Sequence, residues 1–177
     1  MILTTRRLLL SIPQSADLAA LYAIYGDPAT QRFNPAGPLT DITQAKELLD
    51  EWQRQWRVLG YGQWAVALKA EPDRVLGFGG IGMWPYLGEP RMNLGYRFAQ
   101  SAWGQGLATE LGQAALTFGL VEHQLPAIFG LVRPEHAASI RVLEKIGMQR
   151  FGTLDDVPGQ AHSLVLRALA FQSDSGG

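Results

Sequence analysis

The chain has no cysteine. Disulfide staples, thiolate metal sites and a cysteine nucleophile are therefore excluded, and a reducing compartment suits such a chain. Histidine is scarce: His123, His136 and His162 are the three, and no two are four residues apart, the helical metal-pair spacing. No metal site is expected. Neither sign of charge dominates, with 15 Lys+Arg against 16 Asp+Glu and a net charge of −1. The balance holds locally too: residues 1–90 carry 8 basic and 9 acidic side chains, and residues 91–177 carry 7 of each. A broad basic field for nucleic acid or an anionic membrane is missing. No apolar run approaches the roughly 18 residues of a spanning helix. Arg6 and Arg7 are followed only by Leu8, Leu9 and Leu10, too short for a signal-peptide core. The expectation is a cytoplasmic protein without nucleic-acid or membrane partners.

What is present is an ordinary globular composition, 47% hydrophobic and 18% charged over 177 residues. One domain over residues 1–172 is expected, with the polar stretch 173–177 a frayed tail. Arg6 to Ile12 reads as a strand ended by Pro13. Ser15 starts a helix through Leu18, Leu21, Tyr22 and Tyr25. Asn34 to Pro38 is a loop, because two prolines and a glycine deny it regular bonding. Thr40 or Asp41 caps a second helix whose apolar face is Ile42, Ala45, Leu49, Trp52, Trp56 and Leu59. That face is core or, alternatively, a dimer seam. Strands follow at Gln63–Leu68, Val75–Met83 and Arg91–Ala99, the last alternating strictly between two faces. A helix from Gly104 to Glu122, a strand Ile128–Val132, a helix from about Glu135 to Ile146 and two final strands complete a mixed α/β order. The last two strands bracket a loop from Asp155 to Gln160.

Two glycine clusters carry opposite meanings. Gly77-Phe78-Gly79-Gly80-Ile81-Gly82 matches a dinucleotide fingerprint literally, but Met83-Trp84-Pro85-Tyr86 follows it, where a helix is required. It reads as a strand allowing close approach of another backbone. Trp103-Gly104-Gln105-Gly106-Leu107-Ala108-Thr109-Glu110 instead lies between a strand and an amphipathic helix. A helix start presents unpaired N–H groups and about half a positive charge, a cradle suited to a diphosphate. A tight turn without a ligand is the alternative.

The segment Trp103 to Ala108 resembles the acyl-CoA motif of the GCN5-related N-acetyltransferases (GNAT), with Gly106 and Ala108 in the two small positions and Trp103 where Gln or Arg is usual. Arg133 to Met148 is similar to the Pro-x-Asn-x-x-Ser-x-x-x-Leu-Glu-Lys-x-Gly-Phe signature of the ribosomal-protein-alanine acetyltransferase (RimJ/RimL-like) branch, and Leu3 to Leu10 resembles that branch's opening strand. The resemblance implies a GNAT fold: a mixed, mostly antiparallel sheet of about seven strands, helices on both faces and a splayed strand pair. It implies an N-acetyltransferase that moves an acetyl group from acetyl-CoA to a primary amine, a protein N-terminus or a small molecule, by direct attack. It further implies that amides of Trp103, Gly104, Gln105, Gly106, Leu107, Ala108 and Thr109 hold the pyrophosphate. Main-chain groups near Tyr96 and Phe98 would hold the pantetheine arm. His136 and Ser139 would lie beside it.

Three further positions depart from the family pattern. His136 replaces the usual Asn and is a weaker helix cap; it is a cofactor contact, a proton carrier or a surface residue. Leu143 replaces a Tyr that protonates the leaving thiolate, which leaves Ser139 as the substitute donor. Asn93 stands where a Glu base is common and cannot take a proton; Glu89, Asp155, Asp156 or a water chain are the replacements. The acceptor pocket is expected from the Asp27–Pro38 loop with Phe33, from Trp84 and Tyr86, and from the last loop with Asp155. The catalytic set read this way is Ser139, Asn93 and His136. A non-catalytic CoA-binding module on the same fold is the alternative, and the chain is expected to be a monomer or homodimer.

Overall fold

The computed structural model describes residues 2–170, so the expected frayed tail at 173–177 lies outside the described residues. Eight strands form one sheet in the order β1-β2-β3-β4-β5-β6-β8-β7. They are β1 (Ile2–Thr4), β2 (Leu8–Ser11), β3 (Gln63–Leu68), β4 (Val75–Tyr86), β5 (Glu89–Phe98), β6 (Ala127–Val132), β7 (Gln149–Leu154) and β8 (Ser163–Leu169). The helices are α1 (Leu18–Tyr25), α2 (Ile42–Leu59), α3 (Leu107–Leu116) and α4 (Ala137–Lys145).

The count exceeds the expected seven because Leu3 to Leu10 is a hairpin, not one strand. Thr5 N donates to Leu8 O across its turn, and Ile2 pairs with Ser11. An edge strand of three residues is too short to display a period. The helix expected from Gly104 to Glu122 starts at Leu107 and widens into π turns over Thr117–Glu122. Gly119 sits there because a Cβ would come within 2.6 Å of Ile128 Cδ1, so the wide turns press the chain directly against β6.

Alternation along β4 separates two cores. Phe78 faces α1 and α2 and packs with Leu21, Ile24, Ala45, Leu49 and Trp52. Ile81 faces the other way, into a larger core with Leu94, Leu111, Ile128 and Leu143 beneath α3 and α4. α2 is well specified at both ends. Asp41 accepts from Thr43 N at 2.7 Å, Gln44 returns to Asp41 N, and Gly60 ends the helix at φ 77°. Trp52 and Trp56 are each only 7% exposed. They belong to the core, and the dimer seam offered for that stripe is not available, while its ends Ile42 and Leu59 stay exposed.

The glycine cluster of β4 is a strand. A Cβ at Gly79 would lie 2.5 Å from Leu111 Cδ2, so α3 packs on bare backbone there. This close approach sets the position of the α3 start.

One junction breaks the sheet. β5 and β6 are parallel and pair only at Asn93↔Phe129, whereas β6 pairs with β8 along its full length. Beyond Asn93, β5 leaves β6, and the two strands form a fork.

Candidate functional site

The fork has α3 at its mouth. Gly104 and Gly106 both adopt φ 75°, a left-handed conformation that glycine reaches without strain. Gly106 is the N-cap of α3 and carries no side chain to cap it, so the first-turn N–H groups are left open. Nothing lies within 4 Å of a Cβ placed at Gly104. Trp103 is 51% exposed and anchored by its indole N–H to Phe98 O at 3.0 Å. Gln105 is tied back by its side chain to Ser101 O. This bare helix start fits a diphosphate, since backbone donors and the helix field supply the attraction.

A residue that sequence reading passed over braces the cradle. Arg7 Nη1 donates to Gln105 O at 2.8 Å, and its Nη2 would stand 3.5 Å from a Cβ at Gly106. Arg7 also pairs with Glu110 in the first turn of α3. Burial pushes the Glu110 carboxyl up, but hydrogen bonds from Thr5 and Arg7 and the Arg7 charge outweigh it and hold the group at about 2. A carboxylate in the first turn is thus neutralised next to the place an anion would occupy.

The walls of the fork come from β5 and α4. Leu143 is 3% exposed and packs on Gly130, where a Cβ would come within 3.1 Å of it. It is core, and no phenol occupies that position. A phenol reaches the fork from the opposite wall instead: Tyr96 Oη and Ser139 Oγ are 2.9 Å apart. Burial pushes the Tyr96 pKa up, against smaller opposing effects of the Ser139 hydrogen bond and Arg97, so Tyr96 keeps its proton. The sequence reading used only the main chain of Tyr96; its side chain is the missed feature.

The loop Asp27–Pro38 reaches α4 across the fork. Phe33 stacks on His136 with ring centroids 4.2 Å apart and planes 14° from parallel. His136 makes no cap hydrogen bond. Its pKa is held below the usual range, first by burial and then by Arg97 and Arg32.

At the apex, the Tyr86 hydroxyl donates to Asn93 Oδ1 at 2.6 Å. Burial, the largest influence, raises the Tyr86 pKa, so the donor persists and Asn93 turns its N–H2 group outward. Trp84 is 54% exposed. Of the two adjacent acids in the last loop, Asp155 is exposed and lies 3.6 Å from His162 Nε2, whereas Asp156 is half-buried. The Asp156 Oδ1 atom is buried without a hydrogen-bond partner, and its charge reaches Tyr86. Glu89 is exposed at the far end of the β4–β5 hairpin. The structure therefore groups Tyr96, Ser139, His136 and Phe33 at the fork, and Asn93, Tyr86 and Asp156 at its apex. Cavities of about 370 Å³ beside Thr5, Glu110 and Phe118 and about 280 Å³ beside Ser11 and Asp73 lie outside both groups.

Comparison with known proteins identifies the family. Residues 7–149 match the family model described as an acetyltransferase (GNAT) domain. The chain is 33% identical to YkkB of Bacillus subtilis (strain 168) over 153 residues, covering 86% of this chain and 87% of that protein. Its fold matches the crystal structure of an acetyltransferase (GNAT family) from Bacillus anthracis at TM-score 0.77 and 25% identity, covering 96% of this chain and 98% of that one. It also matches RimL, a ribosomal L7/L12 alpha-N-protein acetyltransferase in complex with coenzyme A, at TM-score 0.80 and 15% identity, over 96% and 98% of the two chains. The chain belongs to the GNAT acetyltransferase family and is an N-acetyltransferase that uses acetyl-CoA.

Proposed function

We propose that this protein acetylates a primary amine in a ternary complex, with the fork as the coenzyme channel. The observation that carries this reading is the single Asn93↔Phe129 pair, which opens a gap between strands directly beside an uncapped helix start. First-turn amides from Gly104 to Thr109 bind the diphosphate, with Trp103 and Gln105 shaping the rim. Main-chain groups of Tyr96 to Phe98 line the pantetheine channel, with His136 and Ser139 on its other side. Acetyl-CoA, when bound there, supplies an activated thioester. A main-chain N–H of β5 polarises the carbonyl, the role of an oxyanion hole.

The proton-handling groups are the protein's own. Ser139 Oγ and Tyr96 Oη are hydrogen-bonded at 2.9 Å, and this pair takes the acid role that Leu143 cannot fill. Asp156 Oδ1, buried and without a donor, is the base and ammonium anchor in preference to the outward-facing Asp155. Asn93 offers its Nδ2 donors, while its carbonyl oxygen accepts from the Tyr86 hydroxyl. Phe33 and His136 exclude water over the fork, and Trp84 and Tyr86 border the acceptor side.

The Arg133–Met148 segment and the likeness of fold to RimL support placing the chain in the RimJ/RimL-like branch. A cytoplasmic enzyme acting as a monomer or homodimer suits this reading; among the described residues no helix is long and apolar enough to cross a membrane. The test is calorimetry with acetyl-CoA followed by thiol release over an amine panel. Micromolar binding with turnover of an amine is expected; binding without turnover of any amine would defeat the reading.

A further inference from the structure

The acceptor side of β5 contains a cation that no carboxylate among the described residues pairs with. Asn93, Gly95 and Arg97 share the face opposite Leu94 and Tyr96, paired across β4 with Gly82, Gly80 and Phe78. Arg97 runs beneath the Asp27–Pro38 loop, and Nη1 donates to Thr30 O at 3.1 Å. Its Nε is buried and has no partner, and among the described residues no carboxylate pairs with it. The acid on the covering loop, Asp27, is already engaged by Ala29 N and Gln100 Nε2. Arg32, which lies over the Phe33 ring at 5.1 Å, likewise has no ion-pair partner among the described residues. Burial first, and then both cations, disfavour the charged form of His136, so this corner's positive charge rests on the two guanidiniums. A half-buried guanidinium with open donors costs free energy unless an anion answers it.

Between Arg97 and Asn93 the face is vacant. A Cβ at Gly95 would meet only Asn93 Nδ2 within 4 Å, at 3.6 Å. On the Asn93 side of that floor lies the complementary defect, the buried and unpartnered Asp156 Oδ1. An unanswered cation and an unanswered carboxylate thus border one strip of bare backbone.

Resting on the acetyl-transfer reading, we propose that the acceptor is a small zwitterionic amine, a free amino acid, whose carboxylate is taken by the Nη N–H groups of Arg97 that Thr30 O leaves free and whose amine is directed to Asp156. Strand geometry places Asn93 and Arg97 about 13 Å apart at their Cα atoms, with the open floor at Gly95 between them. Arg32 supports the same charge from the loop.

The experiment compares matched pairs differing only in the carboxylate: L-leucine against 3-methylbutylamine, 4-aminobutyrate against propylamine, and 6-aminohexanoate against pentylamine. Initial rates of thiol release are measured at saturating acetyl-CoA. At least one pair should show about a tenfold or greater preference in kcat/KM for the carboxylate-bearing member, the scale of one charged hydrogen-bonded contact. Arg97→Gln should abolish that preference by raising KM for the amino acid alone, with coenzyme affinity unchanged. Arg97→Lys, which keeps the charge and the fold, should retain part of it, and Arg32→Gln at the exposed loop should reduce it severalfold. Equal or better use of the decarboxylated amines by the wild-type enzyme overturns the proposal and leaves acetyl transfer standing. It is also overturned if Arg97→Lys and Arg32→Gln weaken coenzyme A but not 3′-dephospho-coenzyme A, because the cations then serve the coenzyme's phosphate. If no amine in the panel is turned over, acetyl transfer itself is in question. Thermal shifts then decide the present claim, which requires protection by the amino acids and none by their decarboxylated partners.

Discussion

Arg7 and Glu110 are joined by an ion pair of 2.8 Å that fastens the first turn of α3 to the hairpin between β1 and β2. Glu110 Oε2 also receives the Arg7 main-chain N–H at 2.8 Å and the Thr5 hydroxyl. Replacing Glu110 by Gln keeps the shape and removes the charge, leaving Arg7 unpaired beside the cradle. The expected cost is about 1–2 kcal/mol, seen as a Tm lower by about 2–8 °C. The wild-type enzyme should also lose stability in acid through this group. Its folded pKa, about 2, lies below the ordinary carboxylate value of about 4.3, so its contribution is complete above that value and fades as pH falls toward 2. Denaturant titrations of wild type and Glu110→Gln at several pH values should converge as the pH drops through this window. Parallel curves would show that the pair contributes nothing.

Gly106→Val tests the cradle. At φ 75° a β-branched residue is strained by about 1–2 kcal/mol, and its side chain would enter the space between the helix start and Arg7. Coenzyme A affinity should fall at least about tenfold by calorimetry, while far-ultraviolet circular dichroism stays native. Gly104→Ala, placed in open space, carries the same backbone strain without the obstruction and should bind more tightly than Gly106→Val. Reversal of that order would place the phosphate site elsewhere.

The proposed mechanism makes the hydrogen-bonded Tyr96 and Ser139 hydroxyls one proton-donating pair, so the two should not act additively. Ser139→Ala and Tyr96→Phe should each lower kcat by about 10²-fold, with KM for acetyl-CoA nearly unchanged, and the double variant should be little worse than either single one. Fully additive losses would show two independent roles.

Asp156→Asn should cost about 10²-fold in kcat/KM for the amine, and Asp155→Asn should leave rates within about twofold. From the sequence both adjacent acids are candidate bases, and Asp155 is the one placed in the acceptor pocket. The distinction arises from the path of the last loop, which turns one oxygen inward without a partner and leaves its neighbour beside His162 in solvent. Equal losses in the two variants would mean that the loop moves during catalysis.

The same contrast marks what sequence can and cannot reveal here. The α2 stripe, its Asp41 cap and its Gly60 stop are local, and the strands β3 to β5 announce themselves by period and short links. The helix-start motif at Gly104–Thr109 is also local and legible. The fork is not, because a strand's departure from its neighbour depends on pairing partners absent from its own residues. Arg7 and Glu110 are 103 positions apart, and the Tyr96–Ser139 contact spans 43; no periodicity connects them. β1 was invisible through brevity, and the π turns of Thr117–Glu122 were hidden because the apolar spacing of the sequence suits an ordinary helix equally well.

His136→Asn installs the residue carried there by the signature that Arg133–Met148 resembles, and sets two effects of similar size against each other. An Asn cap is worth about 0.5–2 kcal/mol where the present residue makes no capping bond. Loss of the stack on Phe33 removes about 0.5–1.5 kcal/mol. At neutral pH the two should nearly cancel, and Tm should move by less than about 4 °C. In mild acid they separate. The folded pKa of His136 lies below its ordinary value, so in the wild type the unfolded chain binds the proton first and stability declines as pH falls below about 6.5. Asn has no such proton. The variant should therefore become progressively more stable than wild type from pH 6.5 downward, measured by thermal unfolding at matched ionic strength. A constant difference across that range would mean that the imidazole gains no burial against Phe33 in solution and that the loop does not close over the fork.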